Sequence, residues 1–134
     1  MIVDSSALLP IVLREDDEAR YLRAVSSAVS SKMSVASYVE VALKLDKAED
    51  GAIDPILDAT IERLGIVLVP VTVAQSRLAR DANLSFGRRH PAKLNFDDCL
   101  TYALAKSSSE PLLFKGNDFG KTDLALVTFE DDHA

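Results

Sequence analysis

The chain reads as an α/β protein with three layers, a central and mostly parallel sheet flanked by helices. Short stretches of strand length recur along it, at Ile2-Val3, near Lys32 to Val35, at Ile66 to Val69, at Leu112 to Phe114 and at Leu124 to Phe129. Longer segments with apolar residues at helical spacing lie between most of them, which predicts parallel pairing through helical crossovers. The 134 residues, 48% hydrophobic, suffice to bury a core, and no repeat or linker divides residues 1–134, so one domain is expected.

In chain order, Ile2-Val3 is a brief buried strand that runs into a helix capped by Asp4, Ser5 or Ser6. Residues 16 to 30 are helical by the spacing of Ala19, Leu22, Val25 and Val29. An extended piece near Lys32 to Val35 leads to a helix from about Ala36 to Lys47, closed by Asp50-Gly51. Asp54-Pro55 opens the next helix, with Pro55 in its first turn, and Gly65 ends it. Ile66 to Val69 is the clearest buried strand by composition, and Pro70-Val71-Thr72 starts a helix reaching about Asn83. Gly87 to Lys93 is a basic loop. Asn95-Phe96-Asp97-Asp98 then leads into a helix from Cys99 to Lys106, where one of the two aspartates can cap it. Leu112 to Phe114 is a strand, Lys115 to Asp118 a turn, and Leu124 to Phe129 a last strand.

Composition narrows the function classes. No apolar run approaches the roughly 20 residues that span a bilayer, and the first residues lack the basic start of a secretory signal. One cysteine, Cys99, cannot form an internal disulfide, so a reducing compartment, the cytoplasm, is expected. The net charge of −6 runs against a polyanionic partner. Either the partner is not nucleic acid, or the acids are concentrated where cations sit, and distribution decides more than the sum.

Taken singly, most of the acids have an ordinary structural use. Asp4 follows the first strand and has a structural use as a helix cap. Glu40 lies among Val39, Val41, Ala42 and Leu43, and positions 36, 39, 43 and 47 share its side of the helix; a charge on an apolar face is costly unless paired or metal-bound. Asp97-Asp98 precedes an apolar helix that needs only one cap. Asp118 stands in Gly116-Asn117-Asp118, which turn chemistry also explains, and Asp123 reads as a loop acid. Together, acids after the first strand, inside a helix, at a later helix start and after a late strand have the makings of a cation cage. Like charges about 4 Å apart repel by roughly 4 kcal/mol at an effective dielectric of 20, so such a cluster must titrate or bind cations. Oxygen ligands favour Mg²⁺ or Mn²⁺, and one Cys with two separated His argues against structural zinc.

These blocks have a family look. Ile2-Val3-Asp4-Ser5-Ser6-Ala7-Leu8, Ser37-Tyr38-Val39-Glu40, Leu94-Asn95-Phe96-Asp97-Asp98-Cys99 and Pro111 through Asp123 together resemble the PIN-domain nucleases, and most of all the VapC toxins of bacterial toxin–antitoxin pairs. The likeness covers nearly the whole chain, in family order. It implies a PIN-like fold and a magnesium-dependent endoribonuclease that hydrolyses RNA phosphodiester bonds. On this resemblance the family's acids fall on Asp4, Glu40 and Asp98, with Asp97 where relatives often carry Gly. At the fourth site many relatives place an acid where this chain has Gly116, so Asp118, Asp123 or the side-chain oxygen of Asn117 fills that role. Asp4 and Asp98 would hold Mg²⁺ (or Mn²⁺) directly, and Glu40 and Asp118 through water or a second ion. Arg88, Arg89, Lys93 and Lys115 would bind RNA, a VapB-type antitoxin would cover the site, and two copies would pair through helical faces. The alternative is a PIN-like binding module with a weakened site, acting through a protein partner. A phosphoacceptor receiver would need an aspartate after Ile66 to Val69, and a haloacid-type phosphatase a second Asp where Ser6 stands. An Asp118-Phe119-Gly120 match to the protein-kinase metal motif lacks that family's other loops.

Overall fold

In the computed structural model, which describes residues 1–46 and 51–129, all strand pairs are parallel. The chain runs β1 (Ile2–Val3), α1 (Ser5–Val12), α2 (Glu18–Ser27), β2 (Ser31–Ser34), α3 (Val35–Leu45), α4 (Ile56–Leu64), β3 (Ile66–Val69), α5 (Val73–Phe86), α6 (Phe96–Ser108) and β4 (Leu112–Leu113). The four strands lie in the order β3-β2-β1-β4. Strands β2 and β3 add on one side of β1, and the chain then returns to place β4 on its other side. The boundary between β1 and β4 is thus where the winding reverses, and in open parallel sheets ligands bind beyond the carboxyl ends of strands at such a point.

Side chains on successive strand residues point to opposite faces. Ile2 and Leu112, paired in register, join one core with Ala79, Ala82, Ala103 and Leu104 of α5 and α6. Val3 and Leu113, also paired, join the other core with Leu8, Tyr21, Met33, Val41 and Ile61, contributed by α1 through α4 and β2. The three-layer expectation holds.

Several expectations need correction. Ile66 to Val69 is not the most buried strand: β3 lies at the sheet edge, where only Ile66 is fully buried and Val67 faces solvent. Its β-branched residues report strand propensity, not two-sided burial. Leu124 to Phe129 forms no strand of its own. Leu126 makes a single parallel bridge to Leu112, with backbone bonds from Leu112 to Ala125 and from Val127 to Leu112. Pro55 stands at the N-cap of α4, not in its first turn, while Gly65 does end that helix at φ 67°. Helix α6 begins at Phe96, three residues before the expected Cys99, because Asn95 is the better cap. Helix α3 ends at Leu45 with Asp46 as its C-cap, short of the expected Lys47, and the expected closing residue Asp50 lies outside the described residues. Among the described residues no helix is long and apolar enough to cross a membrane.

Candidate metal centre

Asp4 leaves the end of β1 as the N-cap of α1, its carboxylate accepting the Ser6 N–H at 3.1 Å and the Ser6 hydroxyl at 2.6 Å through Oδ2. This bland role does not exhaust the residue. Its other oxygen, Oδ1, accepts the hydroxyl of Thr101 from α6 at 2.9 Å, and Asp4 is only 4% exposed. Burial pushes its carboxyl pKa up, bonds from Ser6 and Thr101 pull it down, and the Glu40 carboxylate raises it again.

Asp98 stands in the first turn of α6. Asn95 caps the helix by accepting the Asp98 N–H at 2.9 Å, and Asp98 Oδ2 accepts the Asn95 N–H at 3.0 Å. This reciprocal pair corrects the expectation that one of Asp97-Asp98 is the cap. It leaves Oδ1 of Asp98 without a capping duty. Burial, then the nearby carboxylates of Asp4, Asp118 and Glu40, push its pKa up to about 6, against the pull of the Asn95 N–H. Glu40 is raised by burial and by Asp97, and lowered by Ser5 and by Lys44, whose ammonium is 3.6 Å away one turn along α3. The apolar burial expected around Glu40 is absent, however. Its flank is not buried: Val39 and Leu43 are half or more exposed, and the inward residues of α3 are Ser37 and Val41. Glu40 matters through its neighbours.

All four expected acids line one cleft of about 200 Å³, with Ser5, Ser6, Asn95, Lys115, Gly116 and Asn117. It sits past the carboxyl ends of β1 and β4, as the topology requires. The open fourth position narrows here: Asp118, Asn117 and Gly116 line the cleft, whereas Asp123 is turned away to accept the Tyr102 hydroxyl at 2.7 Å and the Lys106 ammonium at 2.8 Å. That pairing pulls the Asp123 carboxyl below its usual range, with Tyr102 pushed up to about 12 by burial and by this partner.

The cage itself is looser than expected. Among the described residues no three His, Cys, Asp or Glu side chains group closely enough to hold a metal ion by themselves. The donor set nonetheless fits one kind of ion. It is all oxygen and anionic, and Mg²⁺ takes one or two carboxylates while keeping several waters.

The basic residues divide. Lys115 lines the cleft but is bound to Asp17 at 2.9 Å and Glu15 at 3.8 Å, so it fastens the turn after β4 to the α1–α2 connection instead of presenting a bare charge to RNA. Arg88 and Lys93 border a second, larger groove of about 1140 Å³, with apolar walls from Val35, Val39, Phe96 and Leu100; Arg89 is exposed in the same loop. Sequence reasoning missed Thr101 and Ser37. Their signal is a hydroxyl three residues from each helical acid, in otherwise apolar stretches.

Comparison with known proteins places this fold in a family. Residues 1–125 match the PIN domain family. The chain is 52% identical over 124 residues to Ribonuclease VapC28 of Mycobacterium tuberculosis, covering 91% of this chain and 93% of that one. The crystal structure of Mycobacterium tuberculosis VapC20, described as a sarcin-ricin loop cleaving toxin, superposes with a TM-score of 0.73 at 16% identity over 96% of this chain and 98% of that chain. A toxin–antitoxin complex from Klebsiella pneumoniae contains a chain that superposes with a TM-score of 0.71 at 14% identity, over 96% and 98% of the two chains. The chain belongs to the PIN-domain family, among relatives named as VapC ribonucleases.

Proposed function

We propose that this chain is a divalent-metal-dependent endoribonuclease, with Mg²⁺ as its ion, and the toxin of a VapBC-type toxin–antitoxin pair acting in the cytoplasm. The observation that carries the proposal is the gathering of Asp4, Glu40, Asp98 and Asp118, remote in sequence, around one cleft at the winding reversal of the sheet. Asp4 and Asp98 would hold the ion directly, and Glu40 and Asp118 would reach it through water or a second ion. A bound divalent ion acidifies a water and offsets charge on the attacked phosphate. Ser6 and Thr101 fix the orientation of Asp4, and the Asn95 N–H fixes that of Asp98. Arg88, Arg89 and Lys93 bring RNA to the cleft's approach, so the acidic total of the chain is compatible with a phosphate substrate once cations fill the acidic end. Lys115 serves by holding the loop of Asn117 and Asp118 in place.

An antitoxin covers the cleft in this reading; support for such a partner comes from a chain of similar fold solved in a toxin–antitoxin complex. A second copy occupies the apolar groove. Val39 and Phe96, at 50% and 79% exposure, line it with Val35 and Leu100. Large exposed apolar side chains mark an interface, and across a two-fold axis the same patch meets itself. The test is incubation of purified chain with a mixed RNA pool. The proposal expects cleavage with Mg²⁺, none with EDTA, and none from Asp98→Asn. The looseness of the acidic cluster favours one rival, a binding module with a weakened site. Intact RNA at high protein concentration with Mg²⁺ would decide for that rival.

A further inference from the structure

Beneath the acidic cleft lies a pair of buried hydroxyls that no acid-counting argument uses. Thr101 and Ser37 are each 1% exposed, and their hydroxyl oxygens are 3.0 Å apart. Thr101 has one hydroxyl proton, and the 2.9 Å bond to Asp4 Oδ1 takes it. Ser37 must then be the donor to Thr101. The order is therefore Ser37 to Thr101 to Asp4, a directed chain from α3 through α6 to the end of β1. A mid-helix threonine commonly turns its hydroxyl back on its own helix; Thr101 reaches across to another element.

The placement is specific. Ser37 lies three residues before Glu40 on α3, and Thr101 three residues after Asp98 on α6. Residues three apart are neighbours on one helix face. The hydroxyl pair thus occupies the next turn inward on each helix that carries an acid, and it ends on the third acid. We infer that Thr101, backed by Ser37, is a positioning residue for the metal-dependent reaction: it fixes the rotation of the Asp4 carboxylate and the register of the helices bearing Glu40 and Asp98. This rests on the proposed metal site. With Ser6 on Oδ2 and Thr101 on Oδ1, both oxygens of Asp4 are tied, so the carboxylate cannot turn about its χ2 axis without breaking a bond. A fixed carboxylate offers a cation one preset lone-pair direction, and hydrogen-bond partners of ligating groups typically govern 10–100-fold in metal affinity or activity.

The test uses the full chain, with Mn²⁺ alone as probe, read by electron paramagnetic resonance of the free ion. Thr101→Val preserves shape and removes the hydroxyl. It should weaken Mn²⁺ binding about tenfold or more and lower kcat on RNA, with KM for RNA unchanged. Thr101→Ser keeps the donor and should restore Mn²⁺ affinity to within about threefold of the parent, a rescue on the scale of that same effect. A merely structural role predicts the reverse order, since Ser creates a void where Val does not. Ser37→Ala leaves the bond to Asp4 intact and should weaken Mn²⁺ by a smaller, measurable factor; it carries the test if Thr101→Val does not fold. Parental affinity in folded Thr101→Val, or in Ser37→Ala where Val fails to fold, overturns the inference while leaving the metal site standing. A parent chain that binds no Mn²⁺ overturns both.

Discussion

Replacing Asp98 by Asn should stabilise the metal-free protein at neutral pH while it abolishes cleavage. The Asp98 pKa is about 6 in the fold, against 3.8 for the free side chain. That gap of about two pH units corresponds to roughly 3 kcal/mol, at about 1.4 kcal/mol per unit, favouring the neutral over the charged form in the folded state. The side chain keeps contact with water, so screening reduces the figure by about half, to roughly 1–2 kcal/mol. Asparagine keeps an oxygen that can accept the Asn95 N–H, so the helix cap survives the change. The sign follows from linkage: a carboxyl raised in the fold binds protons more tightly there than when unfolded. Its favourable contribution is present below pH 4 and is lost as pH rises through 6. Urea unfolding of parent and variant in EDTA, at pH 7.5 and pH 4, isolates the effect by difference. Asp98→Asn should be more stable by about 1–2 kcal/mol at pH 7.5, with the difference near zero at pH 4. Added Mg²⁺ should stabilise the parent and not the variant. A variant less stable than the parent at pH 7.5 in EDTA would show that burial and the surrounding acids do not disfavour the Asp98 charge, and would refute the reasoning.

Other outcomes follow from the same geometry. Asp118→Asn should lower RNA cleavage about 10–100-fold, whereas Asp123→Asn should leave cleavage unchanged and cost less than about 1 kcal/mol of stability; equal activity losses would reopen the fourth position. Charge reversal at Arg88 and Arg89 should raise KM for RNA several-fold at low salt, on the order expected for lost phosphate contacts, and flatten the salt dependence, with kcat held. Val39→Glu should shift the chain from dimer to monomer in light scattering without lowering its melting temperature, since Val39 is half exposed in the single chain. A dimer that persists would remove the apolar groove from the interface.

The architecture was legible because its signals are local. Gly65 in left-handed conformation ends α4 as its position suggested, and Ile2-Val3 and Leu112-Leu113 pair in register as short buried strands. What failed depended on neighbours far along the chain. The exposure of Val67 follows from β3 lying at the sheet edge, and that strand order is not written in Ile66 to Val69 itself. Residues 124–129 are apolar enough for a strand but find only one bridging contact beside β4. At the site, acids could be named from the chain because turn and cap chemistry did not need all of them. Glu40 was picked out for an apolar burial that its helix face does not have. Asp123 and Asp118 could not be separated until Tyr102 and Lys106, from α6, were seen to engage the former. The hydroxyls of Ser37 and Thr101 carry only a spacing signal, because serine and threonine inside helices are common and the contacts between α3, α6 and β1 are what give them meaning.

The central claim is that Asp4 and Asp98, with Glu40 and Asp118 behind them, hold a divalent ion at the ends of β1 and β4. Crystals soaked in Mn²⁺ and measured for anomalous scattering test it directly. The account predicts a peak in the cleft within direct bonding distance of Asp4 and Asp98, closing the loose spread of the acids, and its disappearance in Asp98→Asn. An empty cleft at saturating Mn²⁺, or a peak held only by residues outside these acids, would contradict it.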